Sequence, residues 1–287
     1  MHVHTMNVVV GSKACQARCP FCVSKMTPDC GLRHIVDPNM RNFNIACRYA
    51  ERCGVSTVLF TGKGEPLLAP DQLTAYLSEL EMSPRPIFPL MELQTNGIKL
   101  FDHDFVRKYL GTWYHFGLTT VSLSIAHYDP KRNAEIFGMN YDPFFAVDIL
   151  HDHGFSVRIN CTMCKDYVDS PVEVEALLER CREYRVEQVT LRPVTLYEGG
   201  NQDVVRWVKD HTLTEMPFMI QKYLEDNGAE CLLWLAHGAI VYDYKGGNVC
   251  LNNCLTNTED PDDIRQLIYY PDGHLRFSWT HEGSVIF

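Results

Sequence analysis

Three cysteines lie within eight positions near the start of the chain, in the sequence Cys15-Gln-Ala-Arg-Cys19-Pro-Phe-Cys22. A tight loop that carries three thiolates can hold three irons of a cubane cluster, which leaves the fourth iron open to a small chelating molecule. The alternative is zinc, with Cys30 as a fourth ligand in a closed tetrahedral site. Because the spacing differs from the paired CxxC spacing of zinc ribbons, it favours an iron–sulfur cluster, but zinc stays open at this point.

The remaining cysteines are predicted to have plainer roles. The chain has twelve cysteines, and the first ten residues lack the features of a signal peptide, so a disulfide framework is not expected. The CxxC pair Cys161 and Cys164 is predicted to line a pocket. Four cysteines scattered among apolar residues are predicted to be inert core residues: Cys47, Cys53, Cys181 and Cys231.

Composition limits the class of protein. The 287 residues are 46% hydrophobic and 22% charged, as expected for a globular chain with a substantial core. The net charge of −10 argues against a broad nucleic-acid-binding face, because such faces carry a basic surplus. No apolar run reaches the roughly 18 residues that a membrane span needs. A cytoplasmic protein is therefore expected.

Short apolar runs alternate with amphipathic stretches through the first two thirds of the chain. This alternation predicts βαβ units and a parallel sheet. Six units suit a partial (βα)6 barrel rather than a closed eight-fold one. The predicted strands are 7–10, 55–60, 90–93, 119–125, 155–161 and 188–191, and the predicted helices are 39–53, 71–81, 102–110, 141–153 and 171–184, the last with Ser170 as its N-cap.

The pattern changes near residue 200. A helical stretch at 202–227 precedes strand-like runs at 231–235, 239–244, 265–270 and 274–279, which turns separate. The chain is therefore predicted to hold a barrel at 1–200, followed at 201–287 by a helix and a small β-rich C-terminal extension. The predicted fold class is α/β.

Active sites of barrels lie at the C-terminal ends of the strands, so the residues there are selected as site candidates. At the second strand, Gly62 and Gly64 allow close backbone approach to a ligand, and Glu65 can accept hydrogen bonds from an ammonium group. The later strand ends carry Thr95-Asn96-Gly97, Ser122-Leu-Ser124, Arg158-Ile-Asn160 and Arg192.

Together these ordered motifs resemble the radical S-adenosylmethionine superfamily over residues 5–195. The resemblance implies a [4Fe–4S] cluster on Cys15, Cys19 and Cys22, with S-adenosylmethionine bound at its open iron. Phe21 would brace the adenine or pack in the loop, and Arg192 would meet the cofactor carboxylate or an anionic substrate. Ser124 and Asn160 would bond the ribose or carboxylate, or satisfy nearby backbone. The implied cofactor-binding residues are Phe21, Gly62, Gly64, Glu65, Thr95, Asn96, Ser124, Asn160 and Arg192.

The resemblance also implies an activity. The reduced cluster would cleave S-adenosylmethionine to a 5′-deoxyadenosyl radical that abstracts hydrogen from a small polar substrate, such as a nucleoside, a heterocycle or an amino acid. Flavodoxin or ferredoxin would donate the electron, and the protein would be oxygen-sensitive. Three alternatives stay open: a peptide-modifying maturase of the same superfamily, a cluster-binding module without turnover, and a zinc-binding interaction protein.

The C-terminal part resembles the "twitch" extension of the molybdopterin-precursor GTP cyclases, which holds an auxiliary cluster. Here Cys250 and Cys254 are spaced as CxxxC, and Ser278 stands where the later cysteine is expected. The glycine- and arginine-rich tail of the cyclases is also absent. A degenerate extension without a second cluster is therefore predicted, and GTP cyclisation is not expected.

Overall fold

The computed structural model describes residues 2–30, 32, 37–83, 88–235, 238–252 and 263–287. The strands in these ranges are β1 (His2–Val9), β2 (Thr57–Thr61), β3 (Leu90–Thr95), β4 (Thr120–Ile125), β5 (Ser156–Met163), β6 (Gln188–Pro193), β7 (Glu230–Trp234), β8 (Ile240–Tyr244), β9 (Gly247–Leu251), β10 (Asp263–Tyr269) and β11 (Leu275–Arg276). The α-helices are α1 (Met40–Arg52), α2 (Pro70–Glu81), α3 (His103–His115), α4 (Pro130–Phe137), α5 (Pro143–Asp152), α6 (Pro171–Glu183), α7 (Gln202–His211) and α8 (Met216–Asp226).

The first six strands confirm the predicted partial (βα)6 barrel. β1 to β6 are neighbours in chain order, and each pair is parallel. Each connection contains at least one helix, so all six C-terminal strand ends meet at one rim. β1 and β6 do not pair with each other, and the barrel therefore stays open on one side.

The sheet has one apolar face and one polar face. Along β5, Val157 and Ile159 are buried in the core that the helices cover, whereas Arg158 and Asn160 are half-buried on the concave side. Side chains that pair across a ladder share a face. The concave face is therefore lined by hydrophilic residues contributed by several strands: Gln94, Ser122, Ser124, Thr190 and Asn248.

Strands from residues 201–287 extend the same sheet at both of its edges. β9 pairs parallel with β6 and continues into the antiparallel strands β8 and β7. At the other edge β10 pairs parallel with β1, and β11 follows it. β9 was not predicted, because Gly247 and Asn248 are poor strand formers and its partner β6 is distant in sequence. The predicted strand at 274–279 is reduced to β11.

Two predicted helices differ from the observed ones. The predicted helix at 202–227 is broken at 212–215 into α7 and α8, and the unpredicted α4 precedes α5. α4 carries ordinary boundary signals, since Asp129 accepts hydrogen bonds from its first turn and Gly138 ends it with a positive φ of 70°. Ser170 caps α6 as predicted, through a 3.4 Å bond from Glu173 N. No helix in the described ranges has the length and apolarity to cross a membrane.

Candidate cluster and cofactor site

The cysteine loop leaves β1 and places its three thiols at the rim of the barrel. Cys15 is exposed, and Cys19 and Cys22 are half-buried. Burial, together with the nearby Cys22 and Cys15, raises the pKa of Cys19 to about 12. Three thiolates this close repel one another, so the loop favours ionised cysteines only when metal cations neutralise them. This donor set fits a thiolate-ligated cluster.

A single metal ion requires its ligands closer together than a cluster does. Among the described side chains, no three His, Cys, Asp or Glu groups are close enough together to be candidates for holding one ion. Cys30, the proposed fourth zinc ligand, is buried in an apolar cluster with Val9, Ile268 and Tyr270. A cubane spreads its three protein thiolates over three irons, whereas zinc needs its thiolates about 2.3 Å from one point.

The loop after β2 packs backbone to backbone against the cysteine loop. Glu65 N donates to Ala14 O at 2.9 Å. A Cβ at Gly64 would lie 2.2 Å from Ala14 O and 2.6 Å from Ser12 O, far inside contact distance. A Cβ at Gly62 would lie 2.9 Å from Gly64 O. Both glycines are therefore needed for this close approach, which brings the second motif beside the cysteines.

Glu65 joins the loops after β2 and β3. Its side chain is buried, and its Oε1 accepts from Thr95 Oγ1 at 2.5 Å and from Leu67 N at 3.0 Å. Its Oε2 accepts from Asn96 N at 2.9 Å. Burial raises the pKa of Glu65, while these three bonds favour its carboxylate. Protein donors thus occupy much of this carboxylate, and the proposed ammonium contact stays a prediction.

Asn96 connects the turn after β3 to the cysteine loop. Its Nδ2 lies 3.7 Å from Cys15 Sγ and donates to it. Its backbone oxygen accepts from Tyr141 Oη at 2.8 Å. The sequence reasoning missed Tyr141 as a site residue, because the pattern placed it at the start of a helix. The helix begins two residues later, at Pro143, and leaves Tyr141 in the loop against the rim.

Phe21 packs against two helices. Its ring centroid is 6.1 Å from that of Phe137 in α4 and 5.9 Å from that of Trp207 in α7. Asn201, the N-cap of α7, also donates its backbone N–H to Lys25 O at 2.8 Å. The contacts of Phe21 are those of loop packing, and they anchor the cysteine loop beneath two helices.

Ser124, Asn160 and Arg192 lie on the concave face near the rim. Ser124 on β4 and Asn160 on β5 are ladder partners. Arg192 on β6 pairs with Thr162, two residues after Asn160 on β5. Asn160 Oδ1 and Arg192 Nε are buried and have no hydrogen-bond partner in the described structure. Unsatisfied buried polar atoms are rare in folded proteins, and a bound molecule is one way to satisfy them. This arrangement fits a polar cofactor at the predicted position.

The floor of the concave face holds an ion pair that sequence reasoning did not find. Arg158 NH1 lies 2.5 Å from Glu92 Oε2, and Arg158 Nε donates to Gln188 Oε1 at 2.7 Å. Gln94 donates to Glu92 Oε1 at 3.2 Å. These contacts tie β3, β5 and β6 together across the concave side. A polar floor of this kind suits a hydrophilic substrate better than a lipid.

The two remaining cysteine motifs differ in their relation to this site: Cys164 belongs to the apolar cluster against which Cys19 and Phe21 pack, and Cys250 lies on the concave face. Cys161 and Cys164 are fully buried in apolar surroundings, so Cys161 belongs to the core and not to the predicted pocket lining. Cys250 is the ladder partner of Thr190 on β9. Cys254 falls outside the described residues. Ser278 lies in an exposed turn, where its hydroxyl contacts Thr280 Oγ1 and His281 Nδ1 at 3.0 Å each.

Sequence comparison finds distant relatives. No family model matches the chain. The chain is 24% identical over 194 residues to the GTP 3′,8-cyclases of two Vibrio vulnificus strains, YJ016 and CMCP6. The alignment covers 67% of this chain and 54% of each cyclase, so the chain spans about half the length of the curated relatives it matches.

Structure comparison finds the same fold in three different proteins, among others. Streptococcus suis SuiB bound to S-adenosylmethionine matches 96% of this chain and 60% of its own, with a TM-score of 0.57 and 16% identity. A radical SAM methyltransferase from Sphaerobacter thermophilus matches 76% and 63%, with a TM-score of 0.51 and 15% identity. Methylornithine synthase matches 70% and 57%, with a TM-score of 0.50 and 14% identity.

The fold is therefore the partial barrel of radical S-adenosylmethionine enzymes. The cysteine loop and the glycine-rich loop meet at the rim of this barrel, where the resemblance to the radical S-adenosylmethionine superfamily predicts them.

Proposed function

We propose that the protein reductively cleaves S-adenosylmethionine and abstracts a hydrogen atom from a small polar substrate bound on the concave face. The observation that carries the proposal is the contact between the two loops. Glu65 N bonds to Ala14 O, and Asn96 bonds to Cys15, so the cluster ligands and the cofactor motifs form one unit at the barrel rim.

Each group of residues has a defined task in this proposal. Cys15, Cys19 and Cys22 hold the cluster. When bound, the cluster and S-adenosylmethionine supply one electron and a 5′-deoxyadenosyl radical. The unpaired Asn160 Oδ1 and Arg192 Nε offer an acceptor and a donor to the cofactor. The remaining cofactor contacts are assigned to Gly62, Gly64, Glu65, Thr95, Asn96 and Ser124, and Phe21 supports the cysteine loop.

The concave face supports a hydrophilic substrate. Its floor is the Glu92–Arg158 pair with Gln188, and its upper rows carry hydroxyl and amide side chains. A nucleoside, a polar heterocycle or an amino acid would find both donors and acceptors there. The barrel would orient this substrate and exclude water from the radical.

The proposal includes an electron donor and a compartment. A small redox protein such as flavodoxin or ferredoxin would reduce the cluster. The cysteines of the described residues are all free, which agrees with a reducing cytoplasm. The protein would be purified without oxygen, because an open cluster with three protein ligands is easily oxidised.

A second candidate is a peptide-modifying enzyme. The observation that favours it is the coverage of SuiB, which aligns with 96% of this chain and has also been solved bound to its precursor peptide SuiA. Short peptides that expose polar side chains would then replace the small molecule. Hydrogen abstraction from a peptide, measured as deuterium transfer into 5′-deoxyadenosine, would favour this candidate over a free metabolite.

The proposal is tested by anaerobic reconstitution with iron and sulfide, followed by S-adenosylmethionine and dithionite. The wild-type chain should bind about four irons and release 5′-deoxyadenosine. Cys19→Ala should lose most of the iron and all of the cleavage. Cys231→Ala, which removes an exposed cysteine on β7, should behave like the wild type.

Three outcomes would contradict the proposal. Zinc without iron or sulfide in the protein as purified would favour a zinc-binding protein. A full cluster without cleavage under any reductant would point to a binding module. Cleavage by Cys19→Ala at the wild-type rate would remove the cluster assignment itself.

A further inference from the structure

Asn96 is fixed on four sides by hydrogen bonds. Its backbone N–H donates to Glu65 Oε2 at 2.9 Å, and its backbone oxygen accepts from Tyr141 Oη at 2.8 Å. Its side-chain Oδ1 accepts from Ile98 N at 3.1 Å. Its side-chain Nδ2 donates to Cys15 Sγ at 3.7 Å. Asn96 is 6% exposed, so water does not compete strongly for these groups.

The first three bonds determine where the fourth points. Because Oδ1 receives a backbone N–H from Ile98, the amide cannot turn over without leaving that donor unsatisfied. The Nδ2 group must therefore face the cysteine loop. Sulfur is larger than oxygen, and a separation of 3.7 Å is suitable for an N–H···S hydrogen bond. The contact with Cys15 is thus a consequence of the turn after β3.

We propose that Asn96 is a positioning residue that donates an N–H···S hydrogen bond to the Cys15 thiolate of the cluster and raises the reduction potential of the cluster. This inference rests on the proposed function. Hydrogen bonds to the sulfur ligands are one of the factors that set the potential of an iron–sulfur cluster. Reduction adds negative charge to the thiolates, so a donor stabilises the reduced state more than the oxidised one.

The test measures the reduction potential of the reconstituted cluster in two variants and one control. In Asn96→Ser, the hydroxyl can still accept from Ile98 N but is too short to reach Cys15. In Asn96→Asp, the acceptor remains, the donor is lost and a negative charge is added. The control is Asn42→Ser on α1, away from the cysteine loop. There the same change removes the hydrogen bond that Asn42 Nδ2 donates to Gly273 O.

The expected result is a lower potential in Asn96→Ser, a still lower one in Asn96→Asp, and no change in Asn42→Ser. The potential is read from a redox titration followed by electron paramagnetic resonance, with iron content measured on each sample. Equal potentials in Asn96→Ser and the wild type, at equal iron content, would overturn the inference while leaving the proposed function intact. A wild-type chain that binds no iron would remove both.

Loss of iron from both Asn96 variants, with full iron content in Asn42→Ser, would also overturn the inference, because a residue that only sets the potential is not needed to hold the cluster.

Discussion

Gly64 is the residue at which the two loops of the site touch most closely. An added methyl group would lie 2.2 Å from Ala14 O, and the neighbouring atoms are backbone that cannot move aside independently. We expect Gly64→Ala to push the loops apart and to destabilise the protein by about 1–3 kcal/mol, as overpacking does elsewhere. Iron content after reconstitution should fall, and the free energy of unfolding should fall in urea titrations.

A matched glycine serves as the control. Gly111 lies in α3, and a Cβ there would meet nothing within 4 Å. Gly111→Ala should keep full iron content and gain up to about 1 kcal/mol of stability from helix propensity. If both variants bind iron like the wild type, close packing of the two loops is not what requires glycine at position 64.

At the residue scale, sequence reasoning found the groups but not their partners. The spacing of Cys15, Cys19 and Cys22 and the glycines at 62 and 64 were readable, because local geometry requires those residue types. Tyr141 was not readable, because its contact with Asn96 joins loops 45 positions apart. The bonds that occupy Glu65 were hidden for the same reason, since Thr95 and Asn96 belong to another strand end.

The Glu92–Arg158 pair shows how strands of the barrel depend on each other. Glu92 has a side chain only 6% exposed, and Arg158 supplies its cationic partner across the concave face. Arg158→Met should leave a buried carboxylate unpaired and lower the free energy of unfolding by about 2 kcal/mol, after allowance for the partial exposure of Arg158. Urea titration at neutral pH measures the change.

A double variant and a surface control distinguish the effect of the ion pair from the effect of losing one residue. Adding Glu92→Gln to Arg158→Met should recover part of the lost stability, because the unpaired charge is removed. Arg107→Met removes a surface arginine that pairs with Asp104, with both side chains largely exposed, and should change stability by less than about 0.5 kcal/mol. If the double variant loses as much stability as Arg158→Met and Glu92→Gln lose in sum when made separately, the pair is not coupled.

At the element scale, the period of the apolar pattern was enough to place the six barrel strands and most of their helices. The apolar pattern did not predict the elements that are short or polar. β9 begins with Gly247 and is held by its parallel pairing with β6, a long-range contact that no local pattern encodes. α4 was missed although Asp129, Pro130 and Gly138 mark both of its ends. In that case the signal was present and could have been used.

The whole molecule is one sheet whose two edges are both completed by its C-terminal part. β10 shields the edge of β1, on which the cysteine loop depends, and β9 shields the edge of β6, which carries Arg192. This explains why the region after residue 200 was hard to interpret from sequence. Its strands do not form a separate pattern, since each is stabilised by a barrel strand.

Glu175 on α6 accepts hydrogen bonds that connect the β8–β9 hairpin and α8 to the barrel. From α6, its Oε1 accepts from Lys245 Nζ at 2.7 Å and its Oε2 from Tyr244 Oη at 2.7 Å. Arg182 and Tyr223 donate at 3.1 Å each. Burial on its own raises the pKa of Glu175, but these hydrogen bonds outweigh it and lower the pKa from its ordinary 4.5 to about 2.

The depressed pKa of Glu175 predicts a pH-dependent contribution to stability. Between about pH 2 and 4.5 the unfolded chain binds a proton at Glu175 that the folded chain does not, so stability rises with pH through this window. At pH 7, Glu175→Gln should therefore lower the free energy of unfolding by about 2 kcal/mol. The difference from the wild type should shrink as the pH falls from 4.5 toward 2, because the wild-type carboxylate is then neutralised as well.

Glu183→Gln provides the comparison on the same helix, because its side chain is 63% exposed and forms a surface ion pair with Arg180. Its unfolding curves should follow the wild type at every pH. A deficit in Glu175→Gln that stays constant from pH 7 to pH 3 would mean that shape, not charge, holds the C-terminal edge to the barrel. If the stability difference between Glu175→Gln and the wild type disappears as the pH falls toward 2, the charged carboxylate of Glu175 is what holds the C-terminal strands to the barrel.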